Sequence, residues 1–220
     1  MIAVEVLLIR HGDPDYTNDC LTPTGRTEAK YLADALAEVT IDDIFVSPLG
    51  RARETCDFSA RRKSIRPVVL DWLRERAIVR EGVYLWEAPG ETFLHPASRG
   101  THADAMDLHA TIPEGCLQFE RVKAGFDALL STYGYVRDGD LYRIQHSSQK
   151  RIALFCHKGV VLTLLADVLH WPLTMIFVCL QVHPTGVTRL SLIENNSLAH
   201  FKATAINDRT HLHLASTSCL

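Results

Sequence analysis

The sequence predicts an α/β fold, a three-layer α/β/α sandwich built around a mainly parallel central sheet. Short apolar runs rich in β-branched residues alternate along the chain with longer segments whose apolar residues recur at helical spacing. This alternation is typical of parallel strands joined by helices that cover both faces of the sheet. Polar residues follow several of the apolar runs directly, which predicts a functional site at one edge of the sheet.

The N-terminal residues form the first predicted strand–loop–helix unit. Residues 3–9 are an apolar run short enough for a buried strand, and the polar tripeptide Arg10-His11-Gly12 follows it. Thr22 before Pro23 matches a helix N-cap followed by proline at the first helical position. The apolar residues that then recur at helical spacing are Ala29, Leu32, Ala33 and Leu36.

A second unit of the same kind follows. Residues 43–46 predict a short strand that ends at Ser47-Pro48, and residues 51–59 predict the helix after it. Residues 66–70 then predict a third strand, so the strand–helix alternation is maintained over the first third of the chain.

The C-terminal half continues the alternation and ends in a hairpin. Residues 114–133 place large apolar side chains on one helical face. Residues 151–156, with the sequence RIALFC, predict a buried strand, and an apolar helix is expected over residues 160–169. Residues 187–193 and 198–203 predict the two strands of a hairpin.

The chain has no internal repeat or linker that would divide it, so the sequence predicts a single domain over residues 1–213 and a short tail over 214–220. Residues 89–113 interrupt the regular pattern and predict an insertion that forms a cap near the site. Three histidines recur there at regular spacing: His95, His102 and His109. A metal site is one interpretation, but a polar cap is preferred because no standard metal-ligand motif is present.

Composition narrows the class of partner. The chain has 220 residues, of which 47% are hydrophobic and 22% charged, as expected for a globular chain with a large core. The formal net charge of -3 offers no excess positive charge for a nucleic-acid backbone. We therefore expect a small-molecule partner and no nucleic acid, and both a monomer and a homodimer are possible.

Cysteine usage and hydropathy predict a cytoplasmic protein. The six cysteines have no CxxC spacing, and the N-terminus has no basic segment followed by an apolar stretch and a cleavage site. The longest apolar stretch, residues 160–180, is interrupted by Asp167, His170 and Pro172. We therefore expect reduced thiols and no membrane-spanning helix.

Three predicted strand ends carry residue types suited to phosphoryl transfer. They present residues 10–12, 47–51 and 157–159, and the carboxyl ends of parallel strands lie at the same edge of a sheet. Arg10 and Arg51 offer bidentate donors to phosphoryl oxygens. A histidine held through one ring nitrogen can attack phosphorus with the other, and a nearby carboxylic acid would protonate the leaving group.

These segments resemble the motifs of the histidine phosphatase superfamily, whose fold is phosphoglycerate mutase-like. Arg10-His11-Gly12 resembles its RHG signature, and residues 21–29 are similar to the LTxxGxxQA segment that follows it. Residues 47–55, SPLGRARET, are similar to SPLxRAxQT. The other matching segments are residues 73–75, residues 155–159, Asn207 and residues 211–212. Motifs in the order of the family thus run from residue 4 to about residue 212, which is more specific than any one of them.

The resemblance implies a phosphatase that acts on a small phosphate monoester and releases inorganic phosphate. His11 would take the phosphoryl group and pass it to water. Arg10 and Arg51 would form the phosphate clamp, and His157 would be the second histidine on the phosphoryl oxygens. Glu75 would be the proton donor. The resemblance implies no metal and no organic cofactor.

Other acidic residues are alternatives to Glu75 as the proton donor. Glu81 and Glu87 lie near Glu75 in the sequence. A family segment that offers another acid, PxGES, corresponds here to residues 113–116, PEGC, which lack the acidic residue after glycine. Glu75 is therefore the preferred candidate.

Two further residues are candidates for substrate binding. Lys158 stands where the family usually has a small residue, so it either crowds the pocket or adds a cation to the phosphate. Asn18, with Thr17 beside it, lies near the position at which the family often has an asparagine. We expect both Lys158 and Asn18 to contact the substrate.

Two other functions are compatible with the same motifs. A phosphoglycerate mutase would return the phosphoryl group to another hydroxyl of its substrate. Mutases of the superfamily carry a segment around ERHYG, whereas Glu75 is followed here by Arg76-Ala77-Ile78. A non-catalytic phosphate-binding member is the other alternative. Both histidines, both arginines and the acid are retained, however, so hydrolysis is the preferred prediction.

Overall fold

The structure is a computed structural model that describes residues 2–76, 79–80, 83–84, 87 and 113–217. Its strands are β1 (Ile2–Arg10), β2 (Pro14–Asp15), β3 (Cys20–Leu21), β4 (Asp43–Val46), β5 (Val68–Val69), β6 (Val79–Arg80), β7 (Val83–Tyr84), β8 (Tyr135–Asp138), β9 (Leu141–Ile144), β10 (Arg151–Cys156), β11 (Val187–Asn195) and β12 (Leu198–Asp208). Its helices are α1 (Pro23–Ala37), α2 (Gly50–Lys63), α3 (Pro113–Thr132), α4 (Lys158–Leu169), α5 (Leu173–Cys179) and α6 (Thr210–Thr217). A 3-10 turn covers Asp71–Leu73.

An eight-stranded sheet with the order β5-β4-β10-β1-β11-β12-β9-β8 runs through the centre of the fold. The strands β5, β4, β10 and β1 are parallel to one another, whereas β1 pairs antiparallel with β11 and the strands from β11 to β8 continue the sheet in antiparallel pairs. The α/β sandwich predicted from the sequence is confirmed. Helices cover both faces of this sheet, as expected for parallel strands joined by crossover helices.

The alternation of side chains along β1 explains the two hydrophobic cores. Val6 and Leu8 point to the face covered by α3, α4 and α5, whereas Leu7 and Ile9 point to the face covered by α1 and α2. All four side chains are fully buried. Since burying a large aliphatic side chain contributes about 1.5–3 kcal/mol, a strand with both faces buried anchors the sheet strongly.

The parallel register brings the three polar segments together. Arg10 at the end of β1 pairs with Cys156 at the end of β10, and Phe155 of β10 pairs with Val46 at the end of β4. The residues that follow these strands therefore emerge at one edge of the sheet. This is the edge that the sequence analysis identified.

The first helix begins where the sequence indicates. The hydroxyl of Thr22 accepts a hydrogen bond from the Gly25 N–H at 3.0 Å, and Pro23 occupies the first helical position. Gly12 approaches this first turn closely, because a Cβ at residue 12 would lie 2.7 Å from the carbonyl oxygen of Gly25. The N-terminus of α1 is thereby held against the loop that follows β1.

The third predicted strand is shorter than expected. Only Val68 and Val69 of the predicted residues 66–70 are in a strand, and both are about half exposed. Among the strands that the structure describes, they form an edge of the sheet and pair with β4, which itself has four residues. Pro67 has no backbone N–H to donate, which also limits pairing.

Some expectations fall outside the described residues. The predicted cap over 89–113 does so except for Pro113, and so do His95, His102, His109 and Glu81. The last helix, α6, spans residue 213, at which the domain was expected to end. Among the described residues, no helix combines the length and the apolar character that crossing a membrane requires.

Candidate active site

His11 lies at the carboxyl end of β1 and is buried, with 2% of its surface exposed. Its Nδ1 atom is 2.7 Å from the carbonyl oxygen of Gly12. Because a carbonyl oxygen only accepts hydrogen bonds, Nδ1 carries the proton and the lone pair belongs to Nε2. Burial, assisted by the charges of Arg10 and Arg51, lowers the pKa of His11 to about 3. The imidazole is therefore neutral at physiological pH and presents a nucleophilic nitrogen.

Arg51, in the first turn of α2, points its guanidinium at this nitrogen. Its Nε donates to Nε2 of His11 at 3.3 Å. A terminal nitrogen of the same guanidinium donates to Asp19 at 2.6 Å, and the guanidinium carbon lies 5.2 Å from the ring centroid of Tyr16. The second carboxylate oxygen of Asp19 accepts from the Gly50 N–H at 2.7 Å. The orientation of Arg51 is thus fixed by an ion pair and an aromatic ring.

His157 follows β10 and has no exposed surface. Its ring centroid lies 5.1 Å from that of His11, and its Nε2 atom is 2.7 Å from the hydroxyl oxygen of Ser47. Its Nδ1 atom is buried and has no hydrogen-bond partner in the described part of the chain. Burial and the positive charges nearby keep the pKa of His157 well below its usual value. If Ser47 donates to Nε2, Nδ1–H is a donor available to a bound anion.

Arg10 is held by the segment that precedes β11. A terminal nitrogen of its guanidinium donates to the carbonyl oxygen of Val182 at 2.5 Å. Its Nε atom is buried and unpaired with any described residue. Arg10 is therefore held through a terminal nitrogen, and its Nε–H is a donor that a bound anion could accept.

Glu75 lies two residues beyond the 3-10 turn and reaches α4. Its Oε2 atom accepts from the Gly159 N–H at 3.0 Å, whereas Oε1 is buried without a hydrogen-bond partner among the residues described. Burial raises the pKa of Glu75 to about 7, although the bond from Gly159 and the charges of Arg51 and Arg10 act in the opposite direction. A carboxyl group with this pKa is present in both protonation states near neutral pH, as an acid–base catalyst needs.

Arg121 of α3 holds the turn that carries Glu75. Its guanidinium donates to the carbonyl oxygens of Asp71 and Arg74, both at 2.7 Å, and to the side-chain oxygen of Gln118 at 2.8 Å. The carbonyl of Arg74 immediately precedes Glu75 in the chain. These contacts could not be predicted from the sequence, because Arg121 lies far along the chain from Asp71 and Arg74.

The C-terminal motif residues support the loops around His11. The Thr185 N–H donates to the carbonyl oxygen of His11 at 3.2 Å, and Nε2 of His211 lies 3.1 Å from the Thr185 hydroxyl. The side chain of Asn207 accepts from the His183 N–H at 2.8 Å. These residues stabilise the loop before β11.

The structure places five of the seven predicted site residues near one another: Arg10, His11, Arg51, Glu75 and His157. His11 contacts Arg51 and the ring of His157, and the charges of Arg10 and Arg51 act on both His11 and Glu75. Lys158 is buried in the first turn of α4, where its charge interacts with those of Arg10 and Glu75. Asn18 is exposed, and its amide donates to Asp15 at 2.8 Å. The neighbouring Asp19 is the residue of this turn that contacts Arg51.

Other contacts of the site were also missed at the sequence level. Ser47 and Thr55 lie within the matched motif at residues 47–55, so their position was a usable signal. Thr55 accepts from the Gly12 N–H at 3.0 Å and donates to the carbonyl oxygen of Arg51 at 2.8 Å, which joins α2 to the loop after β1. Asp19 and Tyr16 lie outside the segments that match family motifs, so the sequence did not indicate their role.

No group of three or more histidine, cysteine or acidic side chains in the described ranges is arranged to hold a metal ion. The described residues around His11 include Arg10, Arg51 and His157, whose hydrogen-bond donors suit an anion.

Comparison with known proteins identifies related sequences and folds. Residues 6–204 match the histidine phosphatase superfamily (branch 1). A curated relative, the probable phosphatase C1687.21 of Schizosaccharomyces pombe, is 39% identical over 83 residues. The match covers 33% of this chain and 40% of that protein, so the chain spans less than half of the relative.

Several solved structures share the fold. The mycobacterial glucosyl-3-phosphoglycerate phosphatase Rv2419c has a TM-score of 0.65 and 19% identity, over 92% of this chain and 98% of that chain. The alpha-ribazole phosphatase from Shigella flexneri has a TM-score of 0.61 and 21% identity, over 93% of this chain and 96% of that chain. At these identities the likeness shows a common fold.

Proposed function

The chain belongs to the histidine phosphatase superfamily (branch 1), and we propose that it hydrolyses a small phosphate monoester through a phosphohistidine at His11. The observation that carries this proposal is the neutral His11 ring, whose Nε2 lone pair faces Arg51 beside the ring of His157. The phosphatase names of the relative and of the structural neighbours support phosphatase chemistry.

In the first step of the proposed reaction, the phosphoryl oxygens bind between the two arginines and His157. The Nε–H of Arg51 would exchange its bond to His11 for a bond to phosphate, which releases the Nε2 lone pair. The buried Nε of Arg10 and Nδ1 of His157 would gain the partner that the described residues do not give them. These donors neutralise charge that develops on the phosphoryl oxygens in the transition state.

The Nε2 atom of His11 then attacks phosphorus and the ester P–O bond breaks. The leaving alkoxide takes a proton from the carboxyl group of Glu75, whose pKa of about 7 leaves a protonated fraction at neutral pH. The Nδ1–H bond to Gly12 stabilises the positive charge that forms on the imidazole ring.

In the second step the Glu75 carboxylate takes a proton from water, and the water oxygen attacks phosphorus. The P–N bond breaks, inorganic phosphate leaves, and both His11 and Glu75 return to their starting protonation states. His11 thus gains the phosphoryl group in the first step and loses it in the second, and Glu75 first donates a proton and then accepts one. Asn18 has no role in this proposal because its amide binds Asp15.

The test combines turnover with trapping of the intermediate. The purified protein is incubated separately with p-nitrophenyl phosphate, glycerol 3-phosphate and 3-phosphoglycerate, and phosphate release is measured for wild type, His11→Ala and Arg51→Ala. We expect no turnover for His11→Ala and a loss on the order of a hundredfold for Arg51→Ala, which removes a transition-state charge donor. A substrate radiolabelled in its phosphoryl group should leave a label on the wild-type protein that is lost in acid and stable in alkali, as expected for phosphohistidine. His11→Ala should retain no label.

Three outcomes would contradict the proposal. Near-wild-type activity of His11→Ala would exclude His11 as the nucleophile. Isomerisation of 3-phosphoglycerate without release of phosphate would favour a mutase, and inactivity with every substrate would favour a non-catalytic binding protein.

The unpaired thiols of Cys20, Cys56, Cys156 and Cys179 agree with the cytoplasmic location that we also propose.

A further inference from the structure

Ser47 and His157 follow neighbouring parallel strands and meet at the edge of the sheet. The Ser47 N–H donates to the carbonyl oxygen of Phe155 at 2.9 Å, which extends the pairing of β4 with β10 by one residue. The Ser47 hydroxyl oxygen lies 2.7 Å from Nε2 of His157. Neither residue has exposed surface, so water does not compete for this hydrogen bond. The direction of the bond therefore depends on the other groups around the two side chains.

The Ser47 hydroxyl has one more partner in the described part of the chain. Its oxygen accepts from the Leu49 N–H at 3.3 Å, and a backbone N–H can only donate. If the oxygen also accepted from His157, the hydroxyl proton would have no acceptor among the described residues. Because a buried donor left without an acceptor costs about 1–3 kcal/mol, the contacts favour donation from the Ser47 hydroxyl to Nε2 of His157.

The ring of His157 favours the same direction. Its low pKa makes the ring neutral, so only one ring nitrogen carries a proton. Donation from Ser47 to Nε2 places that proton on Nδ1, which is buried and has no hydrogen-bond partner among the residues described. The ring centroid lies 5.1 Å from that of His11, so a phosphoryl group on His11 is close enough to supply an acceptor. In the opposite tautomer, Nδ1 would present a lone pair that repels the phosphoryl oxygens.

We propose that Ser47 is a positioning residue that fixes His157 in the neutral Nδ1–H tautomer, so that the ring donates a hydrogen bond to the transferred phosphoryl group. This inference rests on the proposed function and assigns Ser47 a part in it. Ser47 acts only through His157, as the carbonyl of Gly12 acts through His11. The two rings then have opposite roles, because His11 presents a lone pair to phosphorus and His157 presents an N–H to its oxygens.

The tautomer can be measured in the free protein. In protein labelled with ¹⁵N in its histidine rings, protonated and unprotonated nitrogens have well separated chemical shifts, and couplings to the carbon-bound ring protons distinguish Nδ1 from Nε2. The signals of His157 are those that are missing from His157→Gln. We expect wild type and Ser47→Thr, which keeps a hydroxyl, to carry the proton on Nδ1 near neutral pH. Ser47→Ala should move most of it to Nε2, because the hydroxyl that donates there is gone.

Kinetics give a second measurement. Ser47→Ala should lower kcat/KM by about tenfold or more, and equally for p-nitrophenyl phosphate and glycerol 3-phosphate, because the lost donor acts on the phosphoryl group and not on the leaving group. Ser47→Thr should keep most of the activity. Ser59→Ala is the matched control, since it removes a buried hydroxyl of α2 that has no partner among the described residues. It should change neither the tautomer nor kcat/KM.

A wild-type ring of His157 protonated on Nε2, or on both nitrogens, would overturn the proposal, and that observation needs no serine variant. Ser47→Ala with full activity would also overturn it. So would Ser47→Ala that loses activity but keeps the wild-type tautomer, because Ser47 would then have a structural role alone. Failure of the proposed function is distinguishable, since wild type would then release no phosphate from either substrate, whereas the tautomer is measured without substrate.

Discussion

At the scale of single residues, burial shifts His11 and Glu75 to opposite chemical roles. It lowers the pKa of His11 to about 3 and raises that of Glu75 to about 7. In each case the buried environment disfavours the charged form. Near neutral pH the site therefore contains an uncharged nucleophile and a carboxyl group that can still give up a proton, which is the combination that the first step requires.

The pKa of Glu75 predicts how activity depends on pH. Because the first step needs the protonated acid, kcat/KM for glycerol 3-phosphate should fall by about tenfold per pH unit above pH 7. p-Nitrophenyl phosphate has a leaving group that hardly needs a proton, so it should show a weaker decline. The measurement is the ratio of the two kcat/KM values between pH 5.5 and 9, roughly the range over which a group of this pKa titrates.

Glu75→Gln is the matched variant for this prediction. It should slow hydrolysis of glycerol 3-phosphate more than that of p-nitrophenyl phosphate and make their ratio independent of pH. Equal losses on both substrates, or a ratio that still falls above pH 7, would show that another group supplies the proton.

At the scale of elements, the N-terminal turns of three helices position the residues of the site. The helices α2 and α4 begin a few residues after the ends of β4 and β10 and carry Arg51 and Lys158 in their first turns. The helix α1 begins at the Thr22 cap, and Gly25 in its first turn packs against Gly12. The site thus depends on where these helices begin, because each start fixes a side chain or a backbone N–H group.

The cap of α1 can be tested by Thr22→Ala. The Thr22 hydroxyl accepts from the Gly25 N–H and donates to the Asp13 carboxylate at 2.6 Å, so its removal should lower the free energy of unfolding by about 1–2 kcal/mol. Thr24→Ala changes an exposed residue of the same turn and should have an effect within about 0.5 kcal/mol. Urea denaturation measures both variants, and equal effects would contradict the capping role.

At the scale of the whole molecule, β1 connects the parallel half of the sheet to the antiparallel half. It pairs with β10 on one side and with β11 on the other, and its side chains enter both cores. The loop that carries His11 is therefore an extension of a strand whose side chains are buried on both faces of the sheet. A rigid support of this kind suits residues whose geometry decides a reaction rate.

Leu8→Ala tests the contribution of this central strand. Leu8 is fully buried, so its truncation should lower the free energy of unfolding by about 2–5 kcal/mol through lost burial and a residual cavity. Leu198→Ala, at a position that is 36% exposed, should cost about 1 kcal/mol or less. Chemical denaturation of both variants provides the comparison, and similar losses would contradict the central role of β1.

Much of the fold and part of the site followed from local sequence pattern. The strands β1, β4 and β10, the cap at Thr22 and the convergence of the three strand ends depend on periodicity, turn chemistry and the rule for parallel sheets. These signals lie within short segments, so they can be read without knowing what each segment contacts. The motif residues Arg10, His11, Arg51 and His157 belong to such segments.

How these segments are held, and which charges they carry, depends on contacts between distant parts of the chain. The ion pair between Asp19 and Arg51, the support of the Glu75 turn by Arg121, and the place of β11 beside β1 join residues far apart in the chain. The pKa values of His11 and Glu75 likewise depend on burial, which is a property of the assembled fold. Which chemical groups gather at the sheet edge could be predicted from local sequence patterns. Their orientation and protonation were decided by long-range packing, because packing sets both the distances between charges and their exclusion from water.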